Sequence, residues 1–397
     1  MRFNIPTGWT INCIGEIADI VGGGTPSTSD PSNFEGGTIS WITPKDLSGY
    51  EFRRISHGER NITKKGLSSS SARLLPAGTV LLTTRAPIGY VAIAEKPLAT
   101  NQGFRNLVLK NGYDSNFIYY LLKTQTETLK SNAGGTTYGE LAGSVLKKIE
   151  ILLPPLPEQQ RITEVLGALD DKIELNIQMN KTLEEIAAAI FKSWFIDFEP
   201  FQNSKFIDSE LSSIPEGWKI GRLGEICNLN MGQSPPSTTY NEEGIGLPFY
   251  QGIRDFGSRY PSPIIFCSEP KKVASAGDIL LSIRAPVGEV NIASEDCCIG
   301  RGVAALSLKH HLNNYLYYQL KTIQREWSAF ESGTTFTAIN KQDILNFLII
   351  VPSFDVIDKF NNSTCLIDKQ IFWNSNEIYF LTRLRDTLLP KLLSGEI

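Results

Sequence analysis

The sequence predicts an α+β protein in which two copies of a mixed α/β domain are joined by two long helices that pair as an antiparallel coiled coil. Three observations predict this. One set of landmarks occurs twice in the same order, each copy opens with loop-rich sequence broken by short β-like runs, and each copy ends in one long heptad-patterned segment entered through proline.

The landmarks come first, because a missed repeat misreads the whole architecture. Pro6-Thr-Gly-Trp9 followed by Ile14-Gly-Glu-Ile17 returns about 200 residues later as Pro215-Glu-Gly-Trp218 followed by Leu223-Gly-Glu-Ile226. Arg85-Ala-Pro-Ile-Gly89 returns as Arg284-Ala-Pro-Val-Gly288, and Tyr119-Tyr-Leu-Leu-Lys-Thr124 as Tyr317-Tyr-Gln-Leu-Lys-Thr322. Gly135-Thr-Thr-Tyr138 returns as Gly333-Thr-Thr-Phe336. Five landmarks in one order exclude chance and divide the chain. A first domain covers residues 1–153, a first long helix 154–200, a second domain 201–351 and a second long helix 352–397.

Within each domain, runs such as TVLLTT, LVLK, DILLSI and AALSL lie between stretches rich in Gly, Pro, Ser and Thr, the pattern of short strands joined by many turns. Pro154, Pro155 and Pro157 lead into the first helix and Pro352 into the second, where a missing N–H costs nothing.

The helices carry a register. Ile162, Leu166, Leu169, Ile173, Asn176, Asn180, Leu183, Ala187, Ile190 and Trp194 follow the alternating four-three spacing of a coiled-coil seam. That seam is about 50 Å long at about 1.5 Å per residue. The corresponding positions of the second helix are Phe360, Thr364, Ile367, Ile371, Asn374, Ile378, Leu381, Arg385, Leu388 and Leu392. Asn176 and Asn374 occupy the same seam position, where a buried polar residue gives up stability and fixes pairing. Each helix could instead pack only on its own domain, but two matched seams favour pairing with each other, which would place the domains at opposite ends of a rod.

Composition excludes several classes. The 397 residues carry 38 Lys and Arg against 42 Asp and Glu, a formal charge of −4, so the chain as a whole lacks the basic excess common in nucleic-acid binders. No apolar run has the length of a membrane span, the opening residues lack the apolar stretch of a secretory signal, and the cytoplasm is the expected compartment. The six cysteines include no C-x-x-C and there are three histidines, so neither a disulfide framework nor a metal site is expected.

Catalytic signatures are missing as well. Ser234-Pro-Pro-Ser237 and Leu153-Pro-Pro-Leu156 lack the Asn or Asp, and the aromatic, that an amino-methyltransferase needs to grip its target amine. No G-x-x-x-x-G-K-[ST] loop is present, and Gly22-Gly-Gly24 runs into Thr-Pro rather than a dinucleotide-binding helix. Glu269-Pro-Lys271 and Asp170-Asp-Lys172 fit the loose acid-x-Lys string of metal nucleases, but the second lies in a heptad helix and such tripeptides arise readily by chance. No catalytic residue and no cofactor of the chain's own is assigned.

What remains is recognition. Arg can read guanine, Asn and Gln can read adenine, and Ser, Thr and backbone N–H groups can hold phosphates. The candidates in the first domain are Thr25, Ser27, Lys45, Arg53, Arg54, Arg85, Asn101, Gln102, Arg105, Thr136, Thr137 and Tyr138. Those in the second are Ser234, Ser237, Gln251, Arg254, Arg259, Arg284, Arg301, Thr334, Thr335 and Phe336. Each has a plain structural use too, in a turn or a salt bridge, and Arg85 and Arg284 at strand ends are placed to fasten their domains. Between the copies the framework matches while the loops differ, NQGFRNL against IGRGVAAL for instance. Two such modules should read two different half-sites, a split and asymmetric target.

These residues carry a resemblance. P-x-G-W followed by [IL]-G-E-I, the RAP[IV]G strand end, G-T-T-[YF] and above all Pro154-Pro-Leu-Pro-Glu-Gln-Gln-Arg-Ile162 resemble the specificity subunit of type I restriction-modification systems over the whole chain. In the second copy Val351-Pro-Ser-Phe-Asp-Val-Ile357 departs from the proline-rich element. The resemblance implies two target-recognition domains and a non-catalytic DNA-reading subunit. Its paired helices would bridge two methyltransferase subunits, with restriction and translocase subunits joining them. It also implies S-adenosylmethionine and ATP with Mg on those partners, and methylation of adenine in each half-site. Helix surfaces around Glu158–Arg161 and Lys181–Glu185 would then face partners. Three other readings stay open: a specificity chain for a fused methyltransferase-nuclease, a coiled-coil scaffold that does not touch DNA, and a stand-alone nuclease that cleaves with a metal.

Overall fold

The computed structural model describes residues 5–134, 139–308, 312–327 and 338–397. The chain divides into two compact units, Met1–Asn176 with Glu377–Ile397, and Ile177–Asn376, so the division falls inside both long helices.

In the first unit a five-stranded sheet runs in the order Ala18–Gly22, Phe104–Leu109, Val80–Thr83, Val91–Ala94 and Arg54–Ile55, antiparallel except for its last pair. The TVLLTT run is its central strand, and alternate side chains leave on opposite faces. Val80 and Leu82 join Ile93, Leu107 and the helix Ser115–Thr124 in one core, while Leu81 joins Ala92, Ala94 and Phe104 in another. A smaller sheet orders Arg60–Ile62, Ile39–Ile42 and Ala99–Thr100. The domain closes by antiparallel pairing of Thr10–Cys13 with Glu150–Leu153, which delivers the chain to the first long helix, Leu156–Phe195.

The second unit repeats this plan. Cys227–Met231, Val303–Leu308, Ile279–Ser282 and Val290–Ile292 form a sheet in the same spatial order, and Lys219–Arg222 pairs with Leu348–Val351 just before the second long helix, Phe354–Ser394. Ile279 and Leu281 face the helix Asn313–Thr322, and Leu280 faces the opposite core. A further sheet orders Tyr240–Asn241, Phe266–Cys267, Leu247–Tyr250, Cys297–Ile299 and Val273–Ala274.

The helix partners are antiparallel in each unit. In the first, Arg385 donates to Asp170 at 2.8 Å and Asn176 to Glu377 at 2.7 Å, so partners fall along one helix as they rise along the other. Ile162 and Leu166 share their core with Leu388, Leu389, Leu392 and Leu393. In the second, Asn180 donates to Ser375 at 3.1 Å and the Phe191 and Phe360 rings lie 5.7 Å apart. The seam residues Leu169, Ile173, Leu183, Ile190, Ile367, Ile371, Ile378, Leu381 and Leu388 are all buried or half-buried. Asn374 donates to Asn180 at 2.9 Å within the second unit.

The two helix entries differ for a visible reason. Gln159 is 1% exposed, donates to the Pro154 carbonyl at 2.9 Å and accepts the Asp114 N–H at 3.0 Å, while the Trp9 indole donates to Glu158. At the second entry the apolar Ile357 is buried instead, and packing replaces that hydrogen-bonded staple.

Candidate nucleic-acid interface

In both units the loop after the first sheet strand is driven against the loop that precedes the long strand. A Cβ on Gly23 would stand 1.9 Å from the Asn101 carbonyl oxygen, and one on Gly232 would stand 2.2 Å from that of Gly300. Only glycine permits such an approach. It forms a corner whose backbone is fixed and from which several polar side chains reach solvent.

At the first corner Trp41 donates to the Gly24 carbonyl at 3.0 Å, Thr25 donates to Gln102, and Asn101 accepts the Gly103 N–H at 2.9 Å. Thr25, Ser27 and Gln102 are exposed. At the second, the Ser234 hydroxyl accepts the Arg301 N–H at 3.2 Å, and a Cβ on Gly302 would meet the Gln251 carbonyl oxygen at 2.1 Å. Gln251, Arg301 and Ser237 are exposed. One topological position thus presents Thr, Ser and Gln in one copy and Ser, Gln and Arg in the other.

Sequence reasoning missed cations at both corners. Gly24 packs against the backbone of Ser71 and Ala72, which puts the exposed Arg73 beside the first corner, and its guanidinium has no partner among the described residues. Ile299 donates to the Lys272 carbonyl at 3.0 Å, which puts the exposed Lys271 and Lys272 beside the second. Both belong to neighbouring segments that only the folded sheet brings alongside, so no local signal marks them.

Several other sequence candidates are committed to contacts within the protein. Lys45 pairs with Glu59 at 2.8 Å, and Arg54 donates to Asn116 at 3.2 Å. Arg85 and Arg105 share Glu140 at 3.1 and 3.2 Å, which fastens two strand ends together. Arg254 lies 3.5 Å from Asp255, and Arg284 forms a backbone bridge with Ala338. Thr136, Thr137, Tyr138, Thr334, Thr335 and Phe336 lie outside the described residues.

Arg53 and Arg259 require correction. Their side chains are 10% and 3% exposed, so neither guanidinium is offered to a ligand. Arg53 donates to Tyr120 at 3.0 Å and to Asp171 at 2.5 Å. Arg259 donates to Glu184 at 2.5 Å, to Tyr318 at 2.9 Å and to Asp368. Burial opposes the charge on Arg259, but Tyr318, Asp368 and Glu184 outweigh it and hold the guanidinium charged above its ordinary range. Burial pushes the Asp368 carboxyl up, with Arg259 opposing it. For Glu184, burial is outweighed by Arg259 and Lys321, and its carboxyl sits below the ordinary value. The helix surfaces expected to face partners are in part committed inward as well, through Glu158, Gln159 and Glu184.

Among the described residues no group of three or more His, Cys, Asp or Glu could hold a metal ion, and no helix is long and apolar enough to cross a membrane.

Known proteins similar to this chain share its family, its sequence and its fold. The family described as "Type I restriction modification DNA specificity domain" matches residues 6–185 and 215–381. The type I restriction enzyme MjaIX specificity subunit of Methanocaldococcus jannaschii is 39% identical, covering 99% of this chain and 94% of its own. The type I restriction enzyme HindI specificity subunit of Haemophilus influenzae is 24% identical over 71% of this chain and 76% of its own. In fold, the chain is similar to the crystal structure of a type I restriction-modification S subunit from M. genitalium, with a TM-score of 0.64, 22% identity, and coverage of 98% of this chain and 96% of that one.

Proposed function

The chain belongs to the type I restriction-modification DNA specificity family, and from that premise we propose that it reads a split, asymmetric DNA target, one half with each unit, on behalf of catalytic partners. The observation that carries this reading is the corner built twice on one scaffold with different exposed side chains. Fixed backbone with variable polar tips is what base-edge readout needs, because hydrogen bonds discriminate bases only when their donors are held in place.

The chain supplies recognition, and chemistry falls to two methyltransferase subunits bridged by the paired helices, with restriction and translocase subunits joining them in the cytoplasm. S-adenosylmethionine binds to the methyltransferases, ATP with Mg to the translocase, and adenine in each half-site is the methylated base. Partner contact is supported by Leu366, Trp373 and Phe380, which recur every seven residues along the second long helix and are 77%, 68% and 66% exposed. Partner subunits that neutralise phosphates also reconcile DNA binding with a net charge of −4.

The test is methylation sequencing of the host genome with this gene intact and deleted. A split motif containing methyladenine disappears on deletion, and exchange of the loops in residues 20–55 changes one half of it only. Survival of every motif in a host that expresses the methyltransferase sinks the reading.

A further inference from the structure

We propose that Arg259 is a positioning residue that fixes how the second recognition domain is held on its helix pair, and thereby restricts the spacer length tolerated between the two half-sites. The inference rests on the DNA-reading function above.

Arg259 belongs to the recognition domain, yet its guanidinium ends on both long helices, at Glu184 of the first and Asp368 of the second. The site is closed on its other sides. The guanidinium carbon lies 4.6 Å from the centre of the Tyr317 ring, the Tyr318 hydroxyl is 2.9 Å away, and Lys321 donates to the second oxygen of Glu184 at 2.9 Å. A planar, forked cation suits this task, since it meets two carboxylates in fixed directions where an ammonium would act as a point charge.

The segment from Arg259 back to the reading corner is braced at every step. Gln251 at the corner donates its N–H to Asp255 at 2.7 Å, and Asp255 is 5% exposed. Asn291 accepts the Gly257 N–H and donates to the Gly257 carbonyl, both at 3.0 Å. Ile292 then donates to the Arg259 carbonyl at 2.8 Å. A displacement at the helix end of this strut is therefore carried to the corner instead of being absorbed in a slack loop.

The first unit does not build the same device. Arg53 reaches the first helix at Asp171, whose side chain is 67% exposed, and the contact to the second helix is made by Arg385 of that helix itself, through Asp170. Among the described residues, only the second domain is tied by one buried side chain to both helices.

The experiment measures methylation by the assembled complex on duplexes carrying the target read from the host methylome, with the natural spacer and with one base pair added or removed. For Arg259→Met the preference for the natural spacer falls at least tenfold, while the penalty for a wrong base in either half-site is unchanged. Arg259→Lys, which keeps the charge and loses the fork, falls between. If Arg259→Met does not fold, Glu184→Gln and Asp368→Asn each remove one arm, and each relaxes the spacer preference in part. Activity that drops equally on all three spacers, or a spacer preference that stays intact in every folded variant, overturns the proposal. Wild-type complex that ignores half-site sequence overturns the DNA-reading function instead.

Discussion

The indole N–H of Trp9 donates to the carboxylate of Glu158 at 3.2 Å, joining the first landmark of the chain to the proline-rich entry of its first long helix. The two residues lie 149 positions apart in the chain. In the fold they make one joint, completed by the buried Gln159 between Pro154 and Asp114.

That joint gives the first prediction. Gln159→Leu leaves the Pro154 carbonyl and the Asp114 N–H without their partner in a buried site, at a cost of about 1–3 kcal/mol. Urea unfolding of the purified chain checks it, and a loss under about 0.5 kcal/mol would show that solvent reaches both groups.

Asn176 behaves in the opposite sense. It is fully buried and its side-chain oxygen has no hydrogen-bond partner among the described residues, while Glu377, which accepts from its amide, is exposed enough to be solvated. Asn176→Leu therefore stabilises the chain by about 1 kcal/mol, read as a higher urea midpoint at unchanged slope, and the benefit comes with weaker specification of register.

Gly167 lies in the middle of the first long helix, and a Cβ there would stand 2.8 Å from Nη1 of Arg53. Gly→Ala ordinarily gains about 1 kcal/mol inside a helix. Here the guanidinium must move, so Gly167→Ala is destabilising in the natural chain and stabilising by about that amount in an Arg53→Met background. Matched unfolding curves of the four proteins test the change of sign.

Arg301 and Arg85 separate reading from fastening. Arg301→Ala weakens binding of the cognate duplex by the complex by about 1–3 kcal/mol, and a duplex altered in that half-site is penalised less than before. Arg85→Ala loses an ion pair whose partner keeps Arg105, costs about 0–1 kcal/mol of stability and leaves sequence preference unchanged. Competition binding with half-site variants distinguishes the two.

The carboxyl of Asp30 is held down to about 2 from an ordinary 3.8, first by the hydrogen bond from Lys65 and then by Ser32. A folded-state value below the unfolded one means that its contribution is complete above 3.8 and is lost as pH falls from there towards about 2. Carboxyl NMR of Lys65→Met shows Asp30 titrating closer to 3.8, and no movement would mean that the loop itself holds the charge.

The sequence by itself determined the plan of this protein: two copies, the central strands, both long helices and their seams, and the family. Those signals are local or periodic, since alternation along Val80–Thr83 and four-three spacing from Ile162 onward reflect burial that the chain imposes a few residues at a time. Only the tertiary structure decided which polar residues face solvent. Arg259 and Arg301 are both loop arginines in sequence, yet the first meets carboxylates 75 and 109 residues away and is buried, while the second stands exposed at a corner held open by glycines. Arg73 and Lys272 reach the corners on segments that are distant along the chain. A charged side chain finds its partner wherever folding brings one within about 4 Å, and nothing in its immediate sequence records that encounter.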